Sequence, residues 1–298
     1  MGPQRFVETI TSRDLKATRL DKHGFIGTNR VMGTLANIVR NAYSGRQLQV
    51  MAVKVLRRFE RDTAAESRQW ILGSRVAKTE EFCKRRDEKL WKEAVEVCSQ
   101  LESDGRRRLE SIEINLGGGG NYILAYFLAR NLRPEVIVET GVAAGWTTTA
   151  LLQAIERNGS GELFSSDFPY FRLENPHSFV GVLAENHSKS NWHLDLRGDS
   201  AALPDFVVHL GQNKIGLIHY DSDKSYRGRK WAIRTLLPHV SEDCVLIMDD
   251  IQDNLFFHDY VRDAELDYTI FEFEGKFLGV VERLGHQIAG ASGDERGD

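Results

Sequence analysis

With 298 residues, 41% hydrophobic and 28% charged, the chain can bury a sizeable core and is too apolar for a disordered polymer. A net charge of −4 argues against a nucleic-acid or membrane-surface binder, and no apolar run approaches the roughly 18 residues of a membrane helix. Three cysteines, Cys83, Cys98 and Cys244, form neither a disulfide framework nor a metal-ligand spacing.

The opening MGPQRFVETITSRD lacks an apolar core of signal-peptide length, and Phe6 stands where a myristoylation signal needs Ser or Thr, so a cytoplasmic protein is expected. Residues 1–115 hold 23 Lys+Arg and 16 Asp+Glu, a balance of +7, whereas residues 116–298 have a balance of −11. From Leu35 to Arg61 apolar residues recur at three- and four-residue steps, which predicts helix. Residues 62–114 continue in that way without a strand signal, and TEEFCKRRDEKLWKEAVEVCSQLE reads as the clearest helix. The triplet Arg106-Arg107-Arg108 reads as a solvated helix face. The texture changes at Gly117–Gly120. We therefore divide the chain into a helical accessory and oligomerisation segment (1–115), a second domain (116–285) and a disordered tail (286–298).

In the second part Asn121–Asn131 predicts a helix. Apolar runs then follow at Val136–Thr140, Glu162–Asp167, His193–Asp199, Ile215–Asp221 and Cys244–Asp250. They alternate with helical segments at Trp146–Asn158, Ser178–Ser188, Ala201–Leu210, Ser225–Pro238 and Asn254–Ala264. Such alternation means parallel βαβ units. YTIFEFEGKFLGVVER closes the chain with two strand-like runs around Glu274-Gly275-Lys276, a β-hairpin. The expected fold is α/β: a Rossmann-like, doubly wound, mostly parallel sheet with a C-terminal antiparallel hairpin, preceded by an α-helical segment.

In such a sheet, ligands bind at the carboxyl ends of the strands, where strand order reverses. The stretch VIVETGVAAGWTTTALL ends its strand on Glu139 and turns through Gly141, Ala143 and Gly145, small residues that let backbone approach a ligand. A dinucleotide site wants G-x-G-x-x-G and a helix N-terminus aimed at a pyrophosphate. Glu139 opposes a pyrophosphate and suits a ligand carrying an ammonium and a sulfonium. Asp167 ends the next run, in place to hold ribose hydroxyls. Asp199, with Ser200 beside it in RGDSAAL, is placed to meet an adenine amino group. Each acid taken alone is also an ordinary residue of a solvated rim.

This series resembles the class I S-adenosylmethionine-dependent methyltransferases over about residues 116–283. Asp221, Asp223 and Lys224 lie at the end of the fourth parallel run, and Asp249 and Asp250 at the end of the fifth. Adjacent strand ends are about 5 Å apart, so Asp221, Asp249 and Asp250 can converge, and such carboxylates repel unless a cation joins them. All-oxygen ligation favours Mg²⁺ or Mn²⁺. The arrangement resembles the family 24 small-molecule O-methyltransferases of macrolide-sugar and cephamycin type, and at Lys224 the metal-dependent catechol and caffeoyl-CoA type. In those groups the acids matching Asp221, Asp249 and Asp250 hold the metal, and position 224 supplies the base. Lys224 stands where the family 24 pattern has His. A free lysine titrates near 10.4, so base duty near neutral pH needs burial or a neighbouring cation. His219, two residues before Asp221 and on the same strand face, is the other candidate base or a packing residue. His258 is a remoter one, and Tyr220 and Tyr226 line the site or simply pack. Asp249–Asp250 reads alternatively as a helix cap.

The resemblance implies an O-methyltransferase acting on a hydroxyl of a sugar, macrolide or other natural product, using S-adenosylmethionine and Mg²⁺. No nucleic-acid or membrane partner is expected, and the N-terminal helices are expected to form a homo-oligomer. The alternatives are a NAD-type or nucleotide-sugar oxidoreductase on the same fold, and a catalytically silent interaction protein.

Overall fold

In the computed structural model, which describes residues 60–112, 114–170, 173–187 and 190–287, the alternating runs become one eight-stranded sheet covered by helices on both faces. The helix expected from Leu35 lies outside the described residues up to position 59, and the tail lies outside them from 288. The first elements are α1 (Ala64–Gly73), β1 (Val76–Ala77), α2 (Thr79–Lys84), α3 (Glu88–Glu110) and α4 (Tyr122–Leu132). There follow β2 (Val136–Thr140), α5 (Trp146–Asn158), β3 (Glu162–Ser166), β4 (Trp192–Asp195), α6 (Asp199–Leu210) and β5 (Ile215–Tyr220). The chain continues through α7 (Tyr226–Leu236), β6 (Val240–Met248), α8 (Phe256–Asp263), β7 (Tyr268–Phe273) and β8 (Lys276–Val281). No described helix is long and apolar enough to cross a membrane.

Strand order is β1-β7-β8-β6-β5-β2-β3-β4. All pairings are parallel except those of β8, which runs against β6 and β7. The expected mostly parallel, doubly wound sheet is thus observed, with the hairpin reversed through Glu274 (φ 49) and Gly275 (φ 78). Two left-handed residues make the two-residue turn that matches strand twist. Ile137, Leu163, Leu217 and Ile247 pack in one core with α3, α4 and α5. Their strand neighbours Val138, Phe164, Ile218 and Leu246 pack in the other with α6, α7 and α8. This is the period-2 alternation of a sheet buried on both faces.

Four local expectations are corrected. The single helix read across TEEFCKRRDEKL is two, because Asp87 leaves helical geometry (φ −157) and caps α3 by accepting the Leu90 amide at 2.8 Å. Val76–Ala77, without strand signal, pairs with β7, a two-residue contact too short to leave a period. The run to Asp199 stops at Asp195, whose side chain accepts the Arg197 amide at 2.8 Å and turns the chain, so Asp199 opens α6 instead of ending a strand. The helix expected over Ser178–Ser188 is replaced by short 3₁₀ turns at Pro176–Phe179 and Val182–Ala184. Gly181, at φ 70, separates them, and the amides of Gly181 and Leu183 donate to Ala143 O and Ala144 O at 2.9 and 3.0 Å. Helix N–H groups would be used internally, whereas here they fasten this segment over the loop after β2.

Candidate active site

The sheet grows from β2 through β3 to β4 on one side and from β5 onwards on the other, so strand order reverses between β2 and β5. The loops after these two strands touch. The Asp221 amide donates to Thr140 O at 2.9 Å. A Cβ at Gly141 (φ 83) would lie 2.6 Å from Asp221 O, so only glycine allows this approach. Ala143 is left-handed at φ 49, a conformation that costs a non-glycine residue about 1–2 kcal/mol. It is held there by Asp167, whose Oδ2 accepts the amides of Val142 at 2.9 Å and Ala143 at 2.7 Å. Gly145 (φ 98) starts α5 with Gly181 Cα 3.0 Å from where its Cβ would be. Asp167 Oδ1 also accepts the Phe168 amide at 2.6 Å, and the Phe168 ring fills the space beside Gly198. Asp199, the first residue of α6, accepts from Ser166 Oγ at 2.7 Å and from Ser222 Oγ, and Ser200 beside it is exposed.

Glu139 is not open to a ligand. Register places it opposite Ser165 on one side and His219 on the other, on the face covered by α5. It is fully buried, and its Oε2 accepts from Thr148 Oγ1 and Ser165 Oγ, both at 2.8 Å. Burial raises its pKa to about 7, against the pull of His219, Ser165 and Thr148. Its expected opposition to a pyrophosphate therefore does not operate directly. Glu139 instead ties the start of α5 to β3. His219 is 2% exposed, with Nε2 3.2 Å from Asp249 Oδ2 and Nδ1 3.8 Å from Glu139 Oε1. Burial opposes its charge, but the hydrogen bond and charge of Asp249, with Glu139 and Asp221, raise its pKa to about 9. The raised pKa favours the charged imidazole between Asp249 and Glu139, and burial keeps it away from solvent.

Asp249 and Asp250 follow β6, where successive side chains diverge, and they separate accordingly. Asp249 turns to His219 and to Gly120, where a Cβ would overlap its carboxylate. Asp250, left-handed at φ 52, meets the Lys224 ammonium, Gln252 Nε2 at 3.0 Å and Lys276 Nζ at 3.5 Å. Lys224 Nζ also lies 3.3 Å from Asp221 Oδ1. Burial, then the Asp249 charge, raises the pKa of Asp221. The expected three-carboxylate metal centre does not form. Among the described residues no group of three or more His, Cys, Asp or Glu is arranged to hold a metal ion. The cations that answer Asp221, Asp249 and Asp250 are side chains: Lys224, Lys276 and the His219 imidazolium. The donor set does not fit a divalent ion.

The other candidates are placed as packing groups. Tyr220 is buried and donates to Asp223 O at 2.8 Å. Tyr226 donates to Asp259 Oδ2 at 3.1 Å, and His258 pairs with Asp259 and lies edge-on to Trp70. Sequence reasoning missed Thr148, Ser165, Gly120, Gln252 and Lys276. Thr148 was legible as one of three threonines opening α5. Ser165 shares the parity of Glu139 in aligned strands, whereas Gln252 and Lys276 carry no local signal.

A family model described as "Methyltransferase domain" matches residues 138–251, from β2 to the turn after β6. No match is found among curated proteins. Among solved structures the chain is similar to a methyltransferase from Geobacter sulfurreducens, with 16% identity, a TM-score of 0.45 and coverage of 61% of this chain and 90% of that one. It is similar to the O-methyltransferase TomG from Streptomyces achromogenes, involved in tomaymycin synthesis and in complex with SAM, at 14% identity, TM-score 0.47 and coverage of 61% and 89%. A third is the O-methyltransferase from Bacillus cereus in complex with SAH, at 14% identity, TM-score 0.45 and coverage of 74% and 97%. Over residues 138–251, which hold the small-residue loop at the strand reversal, the chain is thus similar to a methyltransferase domain, and it resembles the class I S-adenosylmethionine-dependent methyltransferases.

Proposed function

We propose that the protein methylates a hydroxyl of a small, polyhydroxylated acceptor. The observation that carries this reading is the contact of the two loops at the strand reversal, where Gly141 meets Asp221. A donor on the Val142–Gly145 loop and an acceptor at Asp221 and Lys224 are then neighbours, and holding two reactants in line supplies much of the rate of such a transfer. The residues fit the cofactor: a loop that admits close backbone approach, Asp167 for the ribose, and Phe168 with Asp199 and Ser200 for the adenine. When bound, S-adenosylmethionine supplies an electrophilic methyl group on a sulfonium, so the C–S bond breaks toward sulfur as the new C–O bond forms.

The chain's own groups handle the hydroxyl. Asp221 Oδ1 accepts no hydrogen bond among the described residues and faces Lys224 Nζ at 3.3 Å, and burial outweighs that ammonium in raising the proton affinity of the carboxylate, so Asp221 takes the hydroxyl proton. Lys224, fixed by Asp250 and by Asn254 Nδ2 donating to its carbonyl at 2.7 Å, donates to the same oxygen. His219 keeps Asp249 in place. No step passes through a metal. A cleft of about 460 Å³ lined by Gly117–Gly119, Tyr122, Trp146, Glu102 and Glu274 lies next to Gly120, which packs on Asp249, and is the acceptor entrance in this proposal. Self-association through residues 1–115 belongs to the proposal, and a stable monomer by light scattering would remove it.

Calorimetric titration with S-adenosylhomocysteine and with NAD tests the reading. Binding of S-adenosylhomocysteine alone supports it, and binding of NAD alone selects the oxidoreductase. Product analysis with catechol and with sugar acceptors then locates the methyl group.

A further inference from the structure

We propose that Arg229 is a positioning residue of the acceptor site: it clamps the Asp249–Asp250 turn from inside the fold and thereby sets which way each carboxylate faces. Arg229 lies in the first half of α7 and is 0% exposed, the largest fully buried side chain among the described residues. Its Nη2 donates to Asp249 O at 3.1 Å and to Asp250 O at 2.9 Å. Its Nε and Nη1 have no hydrogen-bond partner among the described residues. A buried guanidinium so poorly satisfied is a costly way to fill space, and an apolar side chain of similar volume would stabilise the fold better. What Arg229 provides, and an apolar residue cannot, is a pair of bonds to two successive carbonyls.

Those carbonyls flank the residue whose backbone is unusual. Asp250 has φ 52 and ψ 40, a region that non-glycine residues seldom occupy. Fixing the carbonyls on both sides of its Cα fixes both peptide planes, and therefore the exit direction of its side chain. Asp250 then reaches Lys224 and Lys276, while Asp249 stays on the opposite side against His219. The flanking bonds substitute for the clamp only at Asp250 O, which also accepts the Asp253 amide at 3.0 Å, whereas Asp249 O is held by Arg229. Ser67 Oγ donates to Ile251 O at 2.8 Å, one residue later, and Gln252 binds the Asp250 side chain and not its peptide. Without Arg229 the turn relaxes, the Asp250 carboxylate leaves Lys224, and Lys224 no longer points at the acceptor oxygen. The catalytic consequence rests on the proposed function. The geometric one does not.

Arg229→Met, Arg229→Gln and Arg229→Lys in the full chain test this without an acceptor. The acetylation rate of each lysine with acetic anhydride is followed by mass spectrometry, with melting temperature and S-adenosylhomocysteine affinity measured alongside. Lys224 is expected to label severalfold faster in Arg229→Gln and Arg229→Met, Lys92 to be unchanged, and Arg229→Lys to fall between. If Arg229→Met does not fold, the glutamine and lysine variants decide. A folded variant that melts lower but labels Lys224 at the wild-type rate overturns the proposal, since Arg229 would then only support the fold. Failure of the wild type to bind S-adenosylhomocysteine would instead remove the methyltransferase reading and leave the labelling result intact.

Discussion

The buried His219 gives a pH dependence of stability whose size and window follow from its surroundings. Burial disfavours its charge, yet Asp249, Glu139 and Asp221 raise its pKa from 6.5 to about 9. A group whose pKa is raised on folding stabilises fully below its unfolded value and loses that contribution as pH rises through the folded one. Glu139, raised to about 7, loses stability in the same direction but over a lower window, from about 4.5 to 7. Between pH 7 and pH 9 the change therefore belongs to His219. Each pH unit corresponds to about 1.4 kcal/mol, so about 2–3 kcal/mol should disappear over that interval. Urea denaturation at pH 7, 8 and 9 measures it. His219→Gln keeps a polar side chain but cannot titrate, so its stability should be nearly flat over the same interval. A wild-type stability that does not fall, or an equal slope in His219→Gln, refutes the imidazolium between two carboxylates.

Gly141→Ala places a side chain at φ 83 with its Cβ 2.6 Å from Asp221 O. The left-handed backbone costs about 1–2 kcal/mol and the crowding about 1–3 more. A clear drop in melting temperature and weaker S-adenosylhomocysteine binding are expected, and wild-type values for both would undo the account of the crevice. Asp167→Asn removes the charge that gathers the Val142 and Ala143 amides. Calorimetry should show S-adenosylhomocysteine binding weakened by about 1–3 kcal/mol, with unchanged affinity as the contrary result. Because lysines and His219 answer the carboxylates, EDTA should leave methyl transfer and melting temperature unchanged. A chelator-sensitive rate restored by Mn²⁺ would show that Lys224 yields its place to a metal.

Local periodicity was enough to read the alternating strands and helices, because buried parallel strands and amphipathic helices each write their pattern into a few consecutive residues. It was enough for the hairpin at Glu274-Gly275, and for Asp167, Asp221 and Asp249 just after the ends of their strands, but not for Asp199, which opens a helix. The same sequence did not show where each carboxylate points. Glu139 reads as a ligand-facing acid until strand register puts it between Ser165 and His219 under α5. Asp249 and Asp250 read as one pair until the end of β6 sends them to different neighbours, with Lys276 arriving from a hairpin that follows them in the chain. The segment at Gly181 reads as helix until the loop after β2 takes its amides. Spacing along the chain determines an element's type because periodicity is local. The partner of a buried charge or a free N–H is set by contacts between distant residues, and only the tertiary structure brings those together.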